Sequence, residues 1–396
     1  MGVGGARAEP LKPSTGDQEF RRTFGYAVLG LTAVAAFALL YLGRISNEMR
    51  DFEVYWTAAS RAVASEPLYR ADDGHFQFKY LPAFALAAAP LAAVPLPVAK
   101  AAWFGVSAAL LVALLALSLR LLPTRRRPVW LLLAVTLVVM AKFFGHELVL
   151  GQVNLLFAVL VVSGIQAMRH ERDVMAAGLF VAAVVVKPYG ILFLPWLALT
   201  RGRVAAASAM LALIVALAAP VVLYGINGTM ALHRGWWWAV STSTAPNLTN
   251  PDNVSMAGWM AKWFGESRNA SLTAAMISGA LLALTSLVIL QGRDIKGREA
   301  LEGALLLTLI PLLSPQGWDY VFLVATPAVA IIANYDDRLP APLRSVTWLA
   351  LATIGLSIYD VLGRRLYAQF MAFSIITPCF MVVVATLATL RLRRVA

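Results

Sequence analysis

Long apolar runs, separated by short polar segments, occupy most of the chain from residue 23 onward. Each run is nearly free of charged residues, which is typical of helices that lie in a bilayer. Thirteen such candidates follow one another, at about 23–42, 80–96, 99–122, 129–145, 151–168, 174–189, 190–200, 204–224, 271–290, 299–313, 318–334, 343–361 and 366–390. Several are shorter than the roughly 20 residues that span a bilayer, so tilted, broken or re-entrant segments are expected. The pattern predicts an all-α polytopic membrane protein.

Two longer polar segments interrupt this pattern and are predicted to be the larger extracytoplasmic loops, at about 43–79 and 225–270. Within the first loop, apolar residues recur at helical spacing over residues 53–64, which predicts an amphipathic helix on the membrane face. Within the second loop, residues 236–238 are three consecutive tryptophans. Indole rings favour the interface between lipid and water, so this run is predicted to be a membrane anchor.

The basic residues predict the orientation of the chain. They lie mainly in short connections, such as the three arginines at 125–127. Because basic connections stay in the cytoplasm, these segments and the polar tail 1–22, which is predicted to be disordered, are assigned to that side. The first apolar run lacks a small-residue cleavage site, so a retained helix is predicted rather than a signal peptide.

Keeping the arginines at 125–127 inside requires that either 80–96 or 99–122 be broken or re-entrant. That choice leaves about twelve transmembrane helices. The two arginines at 364–365 then become an exception on the outer side.

The composition agrees with a membrane protein. The chain of 396 residues is 60% hydrophobic and 14% charged, whereas soluble domains are about half apolar and a quarter charged. The formal net charge of +12 suggests nucleic acid at first, but the basic residues alternate with apolar runs, so nucleic acid is excluded and membrane lipids are the expected partners. The single cysteine, Cys379, excludes a disulfide framework. Residues 23–396 are predicted to form one transmembrane domain.

Polar residues beside the predicted spans are candidates for function, because burying them near lipid is costly. Several of them follow or precede spans on the predicted outer side, namely Asp51, Glu53, His75, Lys79, Gln152, Asn154, Lys187, Asn253, Ser255, Trp318 and Asp319. Separate helix ends that contribute polar groups to one face predict a catalytic or binding pocket there. The chain has no D-x-D, H-E-x-x-H or phosphate-binding glycine motif, so no metal site and no nucleotide site is predicted.

The order of these motifs resembles glycosyltransferase family 87. The resemblance extends from about Thr23 to Pro327. It is carried by Asp51-Phe-Glu-Val-Tyr55, Leu68-Tyr69, Tyr80-Leu-Pro82, Gly151-Gln-Val-Asn154, Lys187-Pro188, Asn253-Val-Ser255 and Ser314-Pro315 followed by Trp318. One departure is that related enzymes often have histidine after the tryptophan, where this chain has Asp319-Tyr320.

The resemblance implies a GT-C fold in a bacterial inner membrane, with the active site outside the cytoplasm. It implies a polyprenyl-phosphate sugar as donor, with mannose as the expected sugar and arabinofuranose as the other sugar used in the family. The acceptor is expected to be a glycolipid or a glycan. No cofactor is expected.

Asp51 is the predicted catalytic base. Transfer from a lipid phosphate needs a group that takes the proton of the acceptor hydroxyl. A carboxylate at the hydrophobic boundary suits this role because partial desolvation raises its pKa. The alternative is that Asp51 only caps the helix that follows it.

Lys187 is the predicted partner of the donor phosphate, since a leaving phosphate needs a cation in a dry site. The alternative is a lysine that extends to lipid headgroups. Arg364 and Lys79 are further cationic candidates, with headgroup contact as the alternative for both.

The remaining predicted substrate contacts are neutral, aromatic or acidic: Gln152, Asn154, Tyr55, Tyr80, Asn253, Trp318 and Asp319. The amides at 152 and 154 are suited to hydrogen bonds with sugar hydroxyls, and helix capping or interhelical bonding is the alternative. Trp318 and Asp319 are predicted to line the acceptor pocket, with interface anchoring as the alternative.

Two other functions compete with glycosyl transfer. A transporter or flippase of a lipid-linked sugar would keep its polar site near the bilayer midplane and often shows inverted repeats, whereas these polar residues lie at helix ends. A structural partner in an envelope complex would tolerate alanine at all of them.

Overall fold

The computed structural model describes Thr32, residues 35–291 and residues 297–394. The predicted tail 1–22 lies outside the described residues. The helices α1 to α9 are Ala35–Ile45, Arg50–Val63, Pro82–Ala87, Leu96–Arg120, Val129–Leu150, Asn154–Arg169, Asp173–Val186, Phe193–Arg201 and Arg203–Ala218. The helices α10 to α17 are Val221–Thr244, Met256–Phe264, Arg268–Leu290, Arg298–Leu313, Thr326–Tyr335, Ala341–Leu356, Tyr359–Ala372 and Ile376–Leu392.

The chain divides into two compact units, Met1–Glu48 and Met49–Ala396. In the first unit, α1 is apolar and ends in a π-helical turn, Tyr41–Ile45. The described residues of the second unit form the other helices and six short 3₁₀ segments. These segments are Ala71–Phe76, Ala89–Ala93, Pro188–Leu192, Ala245–Asn247, Asp319–Ala325 and Asp336–Arg338. The all-α prediction is confirmed for the part of the chain that the structure describes.

In the part of the chain that the structure describes, three helices, α4, α5 and α12, are long and apolar enough to cross a bilayer. Two bent pairs bring the number to five among the described residues, since α9 with α10 and α15 with α16 each pass the same test with bends of 89° and 101°. The predicted number of about twelve is not confirmed. Other apolar runs form shorter helices, such as α6 with 16 residues and α7 with 14, and a straight span needs roughly 20.

The broken segment predicted between residues 79 and 122 is the first of the two runs. It forms the short helix α3 and the 3₁₀ turn Ala89–Ala93, and then α4 continues without a break for 25 residues. A proline is the first or second residue of each of these pieces. Proline suits the first turn of a helix because the N–H groups there have no acceptor within the helix, so the missing N–H of proline breaks no hydrogen bond.

The segment 225–270, predicted to be a long loop, is largely helical. Helix α10 carries the three tryptophans and reaches Thr244, and α11 follows at Met256. Gly225 has φ of +66° and interrupts the helical path at the start of α10, a conformation that glycine adopts without steric cost.

One end of the second unit joins basic and acidic connections. The backbone N–H groups of Arg126 and Arg127 donate to Asn334 Oδ1 at 2.8 and 3.2 Å. Arg127 pairs with Asp336 at 2.8 Å, and Arg169 donates to the carbonyl of Leu121 at 2.9 Å. The loops after α4, α6 and α14 therefore meet at this end, which we call the basic end.

Helix α13 lies in the centre of the second unit, and nearly every residue along it is buried. Within it, the Glu302 carboxylate accepts from the Arg391 guanidinium at 2.8 Å and from Trp196 Nε1 at 2.9 Å. These hydrogen bonds join α13 to α17 and α8. Together they satisfy the buried carboxylate of Glu302.

Candidate functional site

A cavity of about 590 Å³ opens in the second unit beside the end of α5 and the first turn of α2. Its walls come from segments that are far apart in sequence, within the ranges 50–54, 75–80, 150–152, 187–189, 236–252 and 314–321. In the first half of α4, Trp103 Nε1 donates to the carbonyl of Gly151, next to the cavity-lining Gln152, at 3.0 Å. Helix α4 has 25 residues, or about 37 Å at 1.5 Å per residue, and it ends at the basic end. The cavity and the basic end therefore lie at opposite ends of α4.

The joint between α5 and α2 places the central amide of the site. Gly151 ends α5 with φ of +67°, and a Cβ there would lie 2.8 Å from Phe52 Cβ and 2.9 Å from Met49 Cε. Glycine is required because its backbone is left-handed and touches α2 directly. The close contact brings Gln152 beside the first turn of α2, where Asp51 lies.

Gln152 joins the carboxylate of Asp51 to the ammonium of Lys187. Its Oε1 accepts from Lys187 Nζ at 3.2 Å, and its Nε2 donates to Asp51 Oδ2 at 2.6 Å. Because lysine only donates and a carboxylate only accepts, both neighbours fix the same orientation of the amide. Gln152 is 4% exposed, so the amide is buried, whereas Asp51 at one end of the bridge is half-buried.

Lys187 enters the site because α7 ends at Val186. Lys187 itself is extended, and Pro188 begins the following 3₁₀ turn. Its Nζ donates to Tyr80 Oη at 3.0 Å in addition to Gln152 and lies 4.8 Å from the centre of the Tyr80 ring. Lys187 lines the cavity, and the residue is 9% exposed.

Tyr55 and Tyr80 complete the same network. Their hydroxyls are 2.7 Å apart, and Tyr55 Oη donates to Gln152 Oε1 at 2.9 Å. Tyr80 lines the cavity, whereas Tyr55 is buried behind it. Five predicted residues, Asp51, Tyr55, Tyr80, Gln152 and Lys187, are therefore brought together by hydrogen bonds.

Asn154 lies behind the cavity wall rather than in it. Its Nδ2 donates to Glu147 Oε2 at 2.8 Å, and its Oδ1 accepts from Tyr189 Oη at 2.9 Å. Glu147 also accepts from the backbone N–H of Leu155 at 2.9 Å. Both ends of the Asn154 amide are therefore occupied, and the residue that reaches the cavity from this group is Tyr189.

Burial changes the pKa values of charged groups in this cavity. It raises the pKa of Asp51 above its ordinary value, while the hydrogen bond from Gln152 and the charge of Lys187 oppose the rise. Burial lowers the pKa of Lys79, while the charge of Asp51 opposes that change and Lys187 adds to it. Both effects follow from the cost of holding a charge away from water.

Asn253 and Ser255 hold two loops together and are not among the cavity-lining residues. The Asn253 Nδ2 donates to backbone carbonyls, including that of Pro315 at 3.0 Å, and its Oδ1 accepts from the Ser255 N–H at 3.1 Å. Ser255 Oγ caps α11 by accepting from Gly258 at 2.9 Å. An isolated antiparallel bridge pairs Asn253 with Trp318, and this pairing presents Trp318 to the cavity.

Asp319 points away from the cavity into the core. Its Oδ2 pairs with Lys142 Nζ at 2.8 Å, and its Oδ1 lies 3.5 Å from His146 Nδ1. The carboxylate that replaces a histidine often seen in the family therefore joins its loop to α5.

Arg364 lies outside the cavity. It is exposed on α16, directly after Gly363, whose φ of +70° interrupts that helix. The structure does not bring Arg364 to the other predicted site residues.

Sequence reasoning did not single out several cavity residues. Tyr189 directly follows the Lys187-Pro188 motif, and Gln316 lies within the motif from Ser314 to Trp318. The sequence motifs could therefore have indicated both residues. Val240, Ser243 and Thr244 also line the cavity together with Trp236. The spacing of these four residues places them on one face of a helix. This pattern was not recognised because 225–270 was predicted to be a loop.

Among the described residues, no group of three or more His, Cys, Asp or Glu side chains is placed to hold a metal ion.

Comparison with known protein families gives a match. The family model for glycosyltransferase family 87 matches residues 78–315, which is more than half of the chain. The matched range contains Tyr80, Gln152 and Lys187, and it begins after Asp51. No curated protein and no solved structure matches. The resemblance found in the sequence is confirmed: the chain belongs to glycosyltransferase family 87.

Proposed function

We propose that this glycosyltransferase transfers mannose from a polyprenyl-phosphate donor to a glycolipid or glycan acceptor on the extracytoplasmic face, with inversion at the anomeric carbon. The observation that carries the proposal is the bridge through Gln152. One buried amide holds a carboxylate and an ammonium, both of which line one cavity. A base and a cation in fixed relation are what transfer from a sugar phosphate requires.

In the proposed reaction, Asp51 accepts the proton of the acceptor hydroxyl. The hydroxyl oxygen forms a bond to the anomeric carbon while the bond from that carbon to the phosphate oxygen breaks. The electron pair of the broken bond remains on the phosphate. General-base assistance of this kind contributes about 10²–10⁴ in rate.

The cations at the cavity support binding of the leaving phosphate. Lys187 donates two hydrogen bonds within the protein, and an ammonium has three donors. Lys79 lines the same cavity and forms no ion pair among the described residues. Donor phosphate is therefore assigned to the part of the cavity between these two lysines.

The charge distribution supports an extracytoplasmic site. The cavity and the basic end lie at opposite ends of α4, and basic connections stay in the cytoplasm. We further propose the GT-C fold with about twelve crossings in a bacterial inner membrane. The shorter apolar helices, such as α6 and α7, would then cross with tilt or form broken spans.

The test is Asp51→Asn in membranes supplied with labelled polyprenyl-phosphate mannose. Transfer should fall by at least about 10², because the amide cannot accept the proton. Asp72→Asn is the matched control, since Asp72 is exposed and does not line the cavity. Transfer at the wild-type rate by a correctly inserted Asp51→Asn protein would remove Asp51 as the base. Movement of the intact donor across the membrane without transfer would favour a flippase.

A further inference from the structure

The cavity has a second wall with a different chemistry from the wall that holds Asp51. Its polar and aromatic members are Ser243, Thr244, Asn250, Asp252, Gln316 and Trp318, which we call the Asp252 wall. Hydroxyl, amide and carboxylate oxygens dominate this wall, and it contains no lysine or arginine. Its residues come from α10 and from the two loops joined by the Asn253–Trp318 bridge.

The side chains of the Asp252 wall are held in fixed positions. Ser243 and Thr244 donate to the carbonyl of Val240 at 3.2 and 2.9 Å. Both hydroxyl oxygens accept from Gln316 Nε2, at 3.1 and 3.0 Å. Because its Nε2 is used by these two hydroxyls, Gln316 is left with a carbonyl oxygen that can accept a hydrogen bond from a ligand.

Asp252 is held through its backbone, and its carboxylate is left for a ligand. Its N–H donates to Asn250 Oδ1 at 2.9 Å, and its carbonyl accepts from the N–H of Asp319 at 2.9 Å. The carboxylate lines the cavity and forms no ion pair within the described part of the chain. It can therefore accept hydrogen bonds from a substrate that donates them.

The charges around Asp51 and around Asp252 favour different ligands at the two carboxylates. Lys187 and Lys79 are cations near Asp51, and a phosphate is favoured there. The charge of Asp319 adds to burial in raising the pKa of Asp252, against weaker effects of His146, Lys142 and Lys262. A phosphate on the Asp252 wall would face an unpaired carboxylate, whereas a neutral ligand rich in hydroxyl groups would donate to it.

We propose that the Asp252 wall is the acceptor subsite and that it binds a carbohydrate or polyol headgroup rather than a protein side chain. Asp252 and the Gln316 carbonyl accept from ring hydroxyls, and Trp318 offers an apolar face to the C–H groups of the ring. The inference rests on the proposed function and narrows the acceptor to molecules that carry several adjacent hydroxyl groups.

Binding can be tested without donor or turnover. The probe is octyl α-mannoside added to the purified full-length protein in detergent, with tryptophan fluorescence as the readout and an octyl oligo-ethylene-glycol ether as the control for the alkyl chain. Asp252→Ala should weaken binding of the mannoside by about tenfold or more, as expected for loss of a charge-assisted hydrogen bond. Asp72→Ala, at an exposed carboxylate outside the cavity, should bind as the wild type does.

A second variant, Asp252→Asn, keeps the shape of the side chain and guards against misfolding, which the melting temperature also monitors. Equal affinity of the wild type, Asp252→Ala and Asp252→Asn for the mannoside would overturn the inference. Binding and glycosylation of a serine-containing peptide instead would also overturn it. Binding through Asp252 without transfer from polyprenyl-phosphate mannose would leave this subsite in place and contradict the proposed function.

Discussion

At the scale of single residues, Gln152 connects the proposed base to the predicted partner of the donor phosphate. It holds Asp51 and Lys187 in one orientation, and its own orientation is fixed by both of them. The hydrogen bond that it donates also stabilises the ionised form of Asp51 and so lowers the pKa that burial raises. The Gln152 amide is therefore expected to set the pH above which Asp51 is ionised and can accept a proton.

Gln152→Leu should shift the acid limb of the pH profile of kcat/KM to higher pH. Asp51 must be ionised to act, and removing the hydrogen bond raises its pKa further above the ordinary value. The measurement is transfer from labelled polyprenyl-phosphate mannose across a pH series. Gln369→Leu, at an exposed amide on α16, should leave the limb unchanged. An acid limb that stays in place or moves to lower pH in Gln152→Leu would contradict the role.

Gly151, at the end of α5, and Gly145, within it, provide a matched pair of substitutions. Gly151→Ala places a Cβ at 2.8 Å from Phe52 Cβ and requires a left-handed backbone, so a loss of about 1–3 kcal/mol in stability is expected. Gly145→Ala meets no atom within 4 Å and removes a flexible residue from α5, so stability should be equal or higher. Thermal unfolding in detergent measures both.

The Gly151→Ala protein should also lose transfer activity at temperatures where it remains folded, because Gln152 is displaced from Asp51. Full activity in the folded variant would show that the contact between α5 and α2 does not position the amide.

At the scale of elements, buried charges attach loops to helices. The pair Lys142–Asp319 has both side chains at or below 3% exposure and connects α5 to the 3₁₀ segment Asp319–Ala325. The loop before that segment carries Trp318, and the hydroxyl of Tyr320 within the segment accepts from Gln152 Nε2 at 3.3 Å. The pair therefore supports one wall of the cavity from behind.

Lys142→Met should destabilise the protein by about 3–5 kcal/mol, because it leaves the Asp319 carboxylate buried without its cation. The double variant Lys142→Met with Asp319→Leu should recover much of that loss, since it buries no unpaired charge. Denaturation midpoints of the single and double variants provide the comparison. A double variant as unstable as the sum of the two single variants would contradict the pairing.

At the scale of the whole molecule, the cavity and the basic connections define two ends. Asp72 lies in the 3₁₀ segment beside the cavity, and Arg125 lies in the loop after α4. Both residues are exposed. If the protein is inserted as proposed, the first is outside the cytoplasm and the second is inside.

Cysteine labelling tests that orientation. In a Cys379→Ser background, which removes the only cysteine, Asp72→Cys should react with a membrane-impermeant maleimide on intact cells. Arg125→Cys should react only after the membrane is permeabilised. The reverse pattern would place the cavity in the cytoplasm and contradict the proposed localisation.

The sequence by itself determined the local and compositional features. Apolar runs predicted helices, the spacing over residues 53–64 predicted the amphipathic helix that α2 forms, and the ordered motifs identified the family. The charge pattern also predicted that one of the runs 80–96 and 99–122 is broken. These features depend on neighbouring residues or on motif order, so a linear pattern contains them.

Only the tertiary structure decided which motif residues meet. Asp51 and Gln152 are 101 positions apart, and periodicity cannot show that Gly151 brings them into contact. The same limit explains Asn253 and Asp319, whose polar side chains were predicted to face substrate. Their hydrogen bonds and ion pairs satisfy backbone carbonyls and Lys142 instead, because a buried polar group binds whichever partner the fold places beside it.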